Sequence, residues 1–135
     1  MGLSVSPNGE PDRRPLHPFG GDPDAFAIGV EQDGATLRLR MTGELDWACI
    51  SRVEDAMAHL AEGRIKRVVF DLQKLKFMDS AGLRTILRAN DRARAEHFDL
   101  IVVRPRGLAN RVFTLTRASK QLTLVDRPET ADTGI

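Results

Sequence analysis

The stretch VVFDLQKLKFMDSAGLRTIL, residues 68–87, decides how this chain folds. Its opening segment, residues 68–72, is mostly apolar and rich in valine, as in a parallel strand that is covered on both faces. Polar residues then interrupt this pattern, and apolar side chains return at helical spacing. We therefore predict a buried strand, a loop, and a helix over about 81–96, with Asp79 and Ser80 where the helix begins.

The position of Asp79 and Ser80 at a helix start has two interpretations. In the first, one of the two side chains is an N-cap that accepts a bond from an unpaired N–H of the first turn, worth about 1 kcal/mol. In the second, Ser80 accepts a phosphoryl group, which brings about −1.5 to −2 charges to the helix N-terminus. The helix dipole would stabilise that charge, whereas Asp79 would repel it. Taken alone, the residue types favour the cap.

Three segments, GELD (43–46), VVFDL (68–72) and FMDSAGL (77–83), occur in an order and spacing that resemble one known family. They resemble the STAS domain of bacterial anti-sigma factor antagonists, and the likeness covers about residues 25–128. In that family, the serine directly after the Asp of the D-S-[STA]-G-L motif is phosphorylated by the anti-sigma factor, which is itself a serine kinase. The resemblance therefore implies that Ser80 is a phosphoacceptor.

The resemblance also implies a function. The chain is expected to be an anti-sigma factor antagonist that, when unphosphorylated, binds an anti-sigma factor serine kinase and so frees a sigma factor for transcription. A PP2C-type phosphatase would reset this partner switch. The residues expected at the partner surface are Asp46, Asp79, Ser80, Gly82 and Arg84. The chain would be a substrate of the kinase, without enzymatic activity or a cofactor of its own.

Composition and charge agree with a single domain that binds proteins. The chain has 135 residues with 41% hydrophobic content, enough to bury a core. The net charge of +1 gives no reason to expect nucleic acid or an anionic membrane as the main partner. One cysteine, Cys49, excludes an internal disulfide, and no run approaches the ~20 apolar residues of a membrane span. Because the first residues lack the apolar core of a signal peptide, we expect a cytoplasmic protein. We expect the chain to be a monomer or a weak dimer.

The first half of the chain predicts a hairpin followed by a helix. Residues 1–24, rich in proline and glycine, are expected to form a disordered or loosely ordered arm. Apolar residues alternate on both sides of Asp33-Gly34, which predicts two antiparallel strands. Asp46 is then a plausible cap of a helix that ends at Gly63. A right-handed crossover would place strand 68–72 parallel to the second strand.

The second half completes an α/β fold. After helix 81–96, a strand is predicted over 100–103, a helix over about 107–117, and an edge strand or extended segment over 122–125. The whole is a STAS-like mixed sheet of four to five strands covered by helices, in the order β-β-α-β-α-β-α. We expect the domain to span 25–128 and residues 129–135 to form a flexible tail.

The patterns of common catalytic and metal sites are missing from the sequence. Three histidines are far apart, and no Cys or His pair has metal-ligand spacing. Neither phosphate-binding loop motif occurs, and no nucleophile elbow surrounds Ser80. Asp46, Asp71 and Asp79 are better explained as caps and strand-end residues than as an acid/base or Mg²⁺ cluster.

Two other functions stay open at this point. One is a STAS-fold scaffold or accessory subunit of a larger assembly, such as a stressosome-like particle or a lipid transporter, in which Ser80 is only a helix cap. The other is a sensor of a small ligand, which needs a concave apolar pocket. Trp47 and six phenylalanines offer little aromatic lining for such a pocket.

Overall fold

The computed structural model describes residues 25–58 and 64–132, so the predicted arm over 1–24 and the predicted helix end at Gly63 lie outside the described residues. The strands are β1 (Ala27–Asp33), β2 (Thr36–Leu45), β3 (Arg67–Met78), β4 (Asp99–Val103) and β5 (Thr123–Val125). The helices are α1 (Ile50–Met57), α2 (Ser80–Glu96), α3 (Leu108–Thr114), α4 (Ala118–Gln121) and α5 (Pro128–Asp132). A 3-10 turn, Trp47–Cys49, precedes α1.

The five strands form one mixed sheet in the order β1-β2-β3-β4-β5. β1 pairs antiparallel with β2 around a turn at Gly34, whose φ of +59° is a conformation that favours glycine. The remaining neighbours pair in parallel. These observations confirm the predicted α/β class, the mixed sheet and the first hairpin.

β3 is much longer than the predicted strand over 68–72. Its pairing with β2 continues to Met78, but the register shifts between Arg40 and Thr42 and again between Gly43 and Glu44. At each shift β3 holds an extra residue, as at a β-bulge, so the alternation of apolar and polar residues is broken although the strand continues. The prediction of a loop after residue 72 was therefore wrong.

The main core lies between the sheet and the helices α1 to α4. Its fully buried side chains include Leu37, Leu39, Phe70, Leu72, Ile86 and Phe113. A smaller core lies on the opposite face of the sheet, where Val69, Ile101, Val103 and Val125 pack with Ala131 of α5. α5 covers this second apolar face, as parallel strands require.

Residues 129–132 belong to α5, so the prediction of a flexible tail over 129–135 was wrong for these residues. Ala131 is completely buried, and its carbonyl accepts a hydrogen bond of 3.0 Å from the Arg67 guanidinium. The predicted third helix over about 107–117 is shorter than expected, because α3 ends at Thr114, and the separate short helix α4, which begins at Ala118, was not predicted. β5 is confirmed as an edge strand that pairs with β4.

α2 ends at a residue in the left-handed conformation. His97 has φ 62° and ψ 45°, and the Phe98 N–H after it donates to the Ala93 carbonyl at 3.0 Å. The backbone thus turns where glycine is usual, at a cost of about 1–2 kcal/mol for a residue with a Cβ. Within the described ranges, no helix is both long and apolar enough to cross a membrane.

Candidate functional site

The candidate site lies at the edge where β2 and β3 end. Leu45 and Met78, the last residues of these two parallel strands, are paired in register. An aspartate follows each of them, Asp46 after β2 and Asp79 after β3. Gly43, Glu44 and Leu45 of the predicted GELD loop belong to β2, so the name GELD loop is used below for residues 46–49. The sheet brings this loop and the start of α2 together, although they are far apart in sequence. In open α/β folds, this edge is where binding sites are usually found.

Asp79 connects the GELD loop to the first turn of α2 through both of its carboxylate oxygens. Oδ1 accepts a hydrogen bond of 2.9 Å from the Gly82 N–H, which makes Asp79 the N-cap of α2. Oδ2 accepts from the Trp47 N–H at 3.2 Å, across 32 positions of sequence. The Asp79 N–H itself donates to the Leu45 carbonyl at 3.2 Å. One side chain thus sets both the start of α2 and the path of the GELD loop.

Ser80 is the first residue of α2, and it is exposed. Because Asp79 is extended, with φ −92° and ψ −178°, and supplies the capping oxygen, Ser80 already belongs to the helix. The alternative in which Ser80 itself is the cap was therefore wrong. The predicted start of the helix at residue 81 was also one residue late.

Asp46 is half-buried, and its Oδ1 accepts a hydrogen bond of 3.0 Å from the Ala48 N–H. It is a cap, but of the 3-10 turn that leads into α1, and not of α1 itself, whose N-cap position is Cys49. The Cys49 thiol lies 3.5 Å from Asp46 Oδ1 and packs against the main core. Burial raises the pKa of the Cys49 thiol, so little thiolate is present at neutral pH. This agrees with a packing role for Cys49.

Gly82 is buried, and its expected place at the partner surface needs correction. A Cβ at this position would lie 2.7 Å from Met78 Cγ and 3.0 Å from the Leu45 carbonyl oxygen. Gly82 therefore lets the first turn of α2 pack closely on the ends of β2 and β3. Gly82 thus contributes to the packing under the site, whereas the side chains of Ser80 and Arg84 are exposed to solvent.

Asp71 is not part of this group. It lies midway along β3, is 8% exposed, and accepts hydrogen bonds from the backbone N–H and the side-chain amide of Gln73. The three aspartates singled out in the sequence therefore do not converge. Among the described residues, no group of three or more potential ligands could hold a metal ion.

The sequence analysis missed an apolar component of this edge. Trp47 is 76% exposed, directly after the GELD segment, and Phe77 is 44% exposed at the end of β3. Leu108, 66% exposed, begins α3 after β4. Exposed aromatic side chains are frequent anchors of protein interfaces, so Trp47 and Phe77 are candidate contacts for a partner protein. The sequence signal for it was an aromatic residue at position 47, where a loop between a strand and a helix is usually polar.

A groove of about 820 Å³ lies beside Pro128 of α5, and Ser80 is not among its lining residues. Charged side chains make up much of its lining, including Glu31, Arg38, Arg40, Asp71 and Lys74. A sensor of small apolar ligands would instead need a mostly apolar cavity. The groove thus gives little support to that third function.

A family model described as "Mlab, STAS domain" matches residues 28–126. The chain belongs to the STAS domain family. The match covers most of the chain and includes all three segments on which the predicted resemblance rests, so the resemblance is confirmed.

Solved structures of similar fold agree with this assignment. This STAS domain is similar to an anti-sigma factor antagonist from Mycobacterium paratuberculosis, with a TM-score of 0.73 and 25% identity over 84% of this chain and 97% of that one. It shares its fold with the Bacillus cell fate determinant SpoIIAA in its phosphorylated form, with a TM-score of 0.63 and 21% identity over 81% and 100% of the two chains. The unphosphorylated form of the anti-sigma factor antagonist SpoIIAA gives a TM-score of 0.62 at 21% identity, over 80% and 96%.

Proposed function

We propose that this STAS domain is an anti-sigma factor antagonist that works as a partner switch controlled at Ser80. The observation that carries the proposal is the placement of Ser80, an exposed hydroxyl residue at the first position of α2, beside the GELD loop. The similar antagonist from Mycobacterium paratuberculosis supports the class of function. In the unphosphorylated state, the chain binds an anti-sigma factor serine kinase and so frees a sigma factor for transcription.

The partner surface includes Asp46, Ser80 and Arg84, together with the exposed Trp47. Asp79 contributes by holding the GELD loop and α2 in place through its bonds to the Trp47 and Gly82 amides. These bonds do not involve the Ser80 side chain, so a modification of Ser80 alters the surface without removing what orders the site. Exposed aromatic residues such as Trp47 are frequent anchors of protein interfaces.

Phosphorylation by the bound kinase places a dianion in the interface. A buried charge that is imperfectly paired costs several kcal/mol, and 1.4 kcal/mol already lowers affinity tenfold. One phosphoryl group is therefore enough to release the partner. A PP2C-type phosphatase restores the binding state, and the cycle takes place in the cytoplasm, with the chain as a monomer or weak dimer and as a substrate of the kinase.

Capture from host lysate with four baits tests the proposal: wild type, Ser80→Ala, Ser80→Asn and Ser80→Asp, each with ADP or ATP added. Ser80→Asn is the matched control, because it has nearly the shape of Ser80→Asp without the charge. We expect wild type, Ser80→Ala and Ser80→Asn to retain a kinase-like anti-sigma factor, and Ser80→Asp to retain at least tenfold less of it. Equal retention by all four baits would show that the interface ignores charge at Ser80.

A second candidate is a STAS-fold subunit of a larger assembly, such as a stressosome-like scaffold or a lipid transporter. The observation in its favour is that the matching family model is described as "Mlab, STAS domain" and not as an antagonist family. In this role the exposed edge around Trp47 is a permanent contact, and Ser80 is not modified. Stable co-purification with a membrane ATPase or a large particle, unchanged by Ser80→Asp, would favour it.

A further inference from the structure

α2 carries a row of basic residues that begins one turn after Ser80. Arg84 and Arg88 are exposed on this row, and Arg92 continues it. Arg92 is already paired, because its Nε lies 2.8 Å from a Glu96 carboxylate oxygen. Among the residues that the structure describes, no hydrogen bond or ion pair involves the Arg84 side chain. Arg84 is thus a cation that can take a new partner.

The helix geometry directs Arg84 toward Ser80. Residues four apart on a helix are neighbours on one face, with Cβ atoms about 5–6 Å from each other. A negative group that is N-terminal to its cation is the more favourable order of such a pair. The guanidinium fork also matches phosphate oxygens, to which it can donate two hydrogen bonds. The first turn of α2 has no acidic side chain that would compete for Arg84.

We propose that Arg84 pairs with the phosphate of Ser80 within the same helix, an inference that rests on the proposed phosphorylation of Ser80. Arg84 then has two alternative roles. In the unmodified chain it faces the anti-sigma factor, and in the modified chain it is occupied by the phosphate. Phosphorylation thereby removes a cation from the partner surface in addition to placing a dianion there, so a single modification changes the interface twice.

The pKa for loss of the second proton of the phosphate depends on whether Arg84 pairs with it. Arg84 favours the dianion and lowers the phosphate pKa, whereas the carboxylates of Asp79 and Asp46 oppose it. Two other arginines are not expected to pair with the phosphate. Arg104, on the segment after β4, is already bound to Asp126 at 3.1 Å and to Asn110 at 3.2 Å. Arg88 lies eight residues from Ser80, about 12 Å along the helix axis, which is beyond the screening length of about 10 Å at 0.1 M salt.

The test uses the full chain with phosphoserine incorporated at position 80 during translation, so that it needs no kinase. Phosphorus NMR titration then gives the phosphate pKa. We expect Arg84→Gln to raise this pKa by about 0.3 unit or more, Arg84→Lys to raise it less, and the matched control Arg88→Gln to leave it within about 0.1 unit. The Arg84 Nε–H resonance should also shift on phosphorylation, while that of Arg88 does not.

Equal pKa values in Arg84→Gln and Arg88→Gln, with no shift of the Arg84 resonance, would overturn the pairing. This result is distinct from a failure of the proposed function, because the phosphoserine is introduced without the host kinase. If the pairing is observed but the charged bait Ser80→Asp still retains every partner, the inference about Arg84 stands and the partner switch fails.

Discussion

Gly82→Ala should lower the free energy of unfolding by about 1–3 kcal/mol. The new methyl group would lie 2.7 Å from Met78 Cγ and 3.0 Å from the Leu45 carbonyl oxygen, and both distances are shorter than ordinary contacts. Met78 is 1% exposed and has little room to move, and the Leu45 carbonyl is backbone that already accepts from the Asp79 N–H. α2 must therefore shift away from β2. Urea denaturation should show a lower midpoint with an unchanged m-value.

Gly29→Ala is the matched control for this substitution. Gly29 lies in β1, where no atom comes within 4 Å of the place that a methyl group would take, and alanine suits a strand at least as well as glycine. Its free energy of unfolding should stay within about 0.5 kcal/mol of wild type or rise slightly. If the two variants lose equal stability, close packing under the first turn of α2 is not what Gly82 provides.

Asp79→Ala should lower the free energy of unfolding by about 2 kcal/mol. Loss of the N-cap of α2 costs about 1 kcal/mol, and the lost bond to the Trp47 N–H contributes a similar amount. Asp79→Asn keeps one acceptor oxygen, so it should retain one of the two bonds and lose about half as much. Urea denaturation can be followed by far-UV circular dichroism, because Trp47, the one tryptophan of the chain, is 76% exposed in the folded state.

The control for Asp79 is Asp91→Ala, an exposed aspartate of the same helix. It should change the free energy of unfolding by no more than about 0.5 kcal/mol. The emission of Trp47 in the folded state gives a second readout, because Asp79 holds the Trp47 backbone in place. If Asp79→Ala and Asp79→Asn were equally stable, this would contradict the claim that the Asp79 carboxylate stabilises the fold through two separate hydrogen bonds.

Much of the fold follows from local pattern. The alternation around Asp33-Gly34 and the apolar run at 68–72 were enough to predict the hairpin and the parallel β3. The true length of β3 was not predictable in this way, because its bulges place successive residues out of alternation. α5 was missed because one buried residue, Ala131, anchors it, and one apolar residue makes no periodic pattern.

The sequence was enough to predict which residues belong to the candidate site, but not which contacts each of them makes. Asp46 and Asp79 could be identified because aspartate before a helix is a capping signal. The bond from the Trp47 N–H to Asp79 joins residues 32 positions apart, and it depends on β2 and β3 ending side by side. Gly82 was ambiguous for the same reason, since the atoms that crowd it belong to β2 and β3.

The central claim is that a phosphoryl group on Ser80 releases an anti-sigma factor. The most direct measurement is a calorimetric titration of the captured anti-sigma factor with the unmodified chain and with the chain carrying phosphoserine at position 80. The account predicts at least tenfold weaker binding of the phosphorylated chain. Equal or tighter binding of the phosphorylated chain would contradict it, and Ser80 would then have no part in partner release.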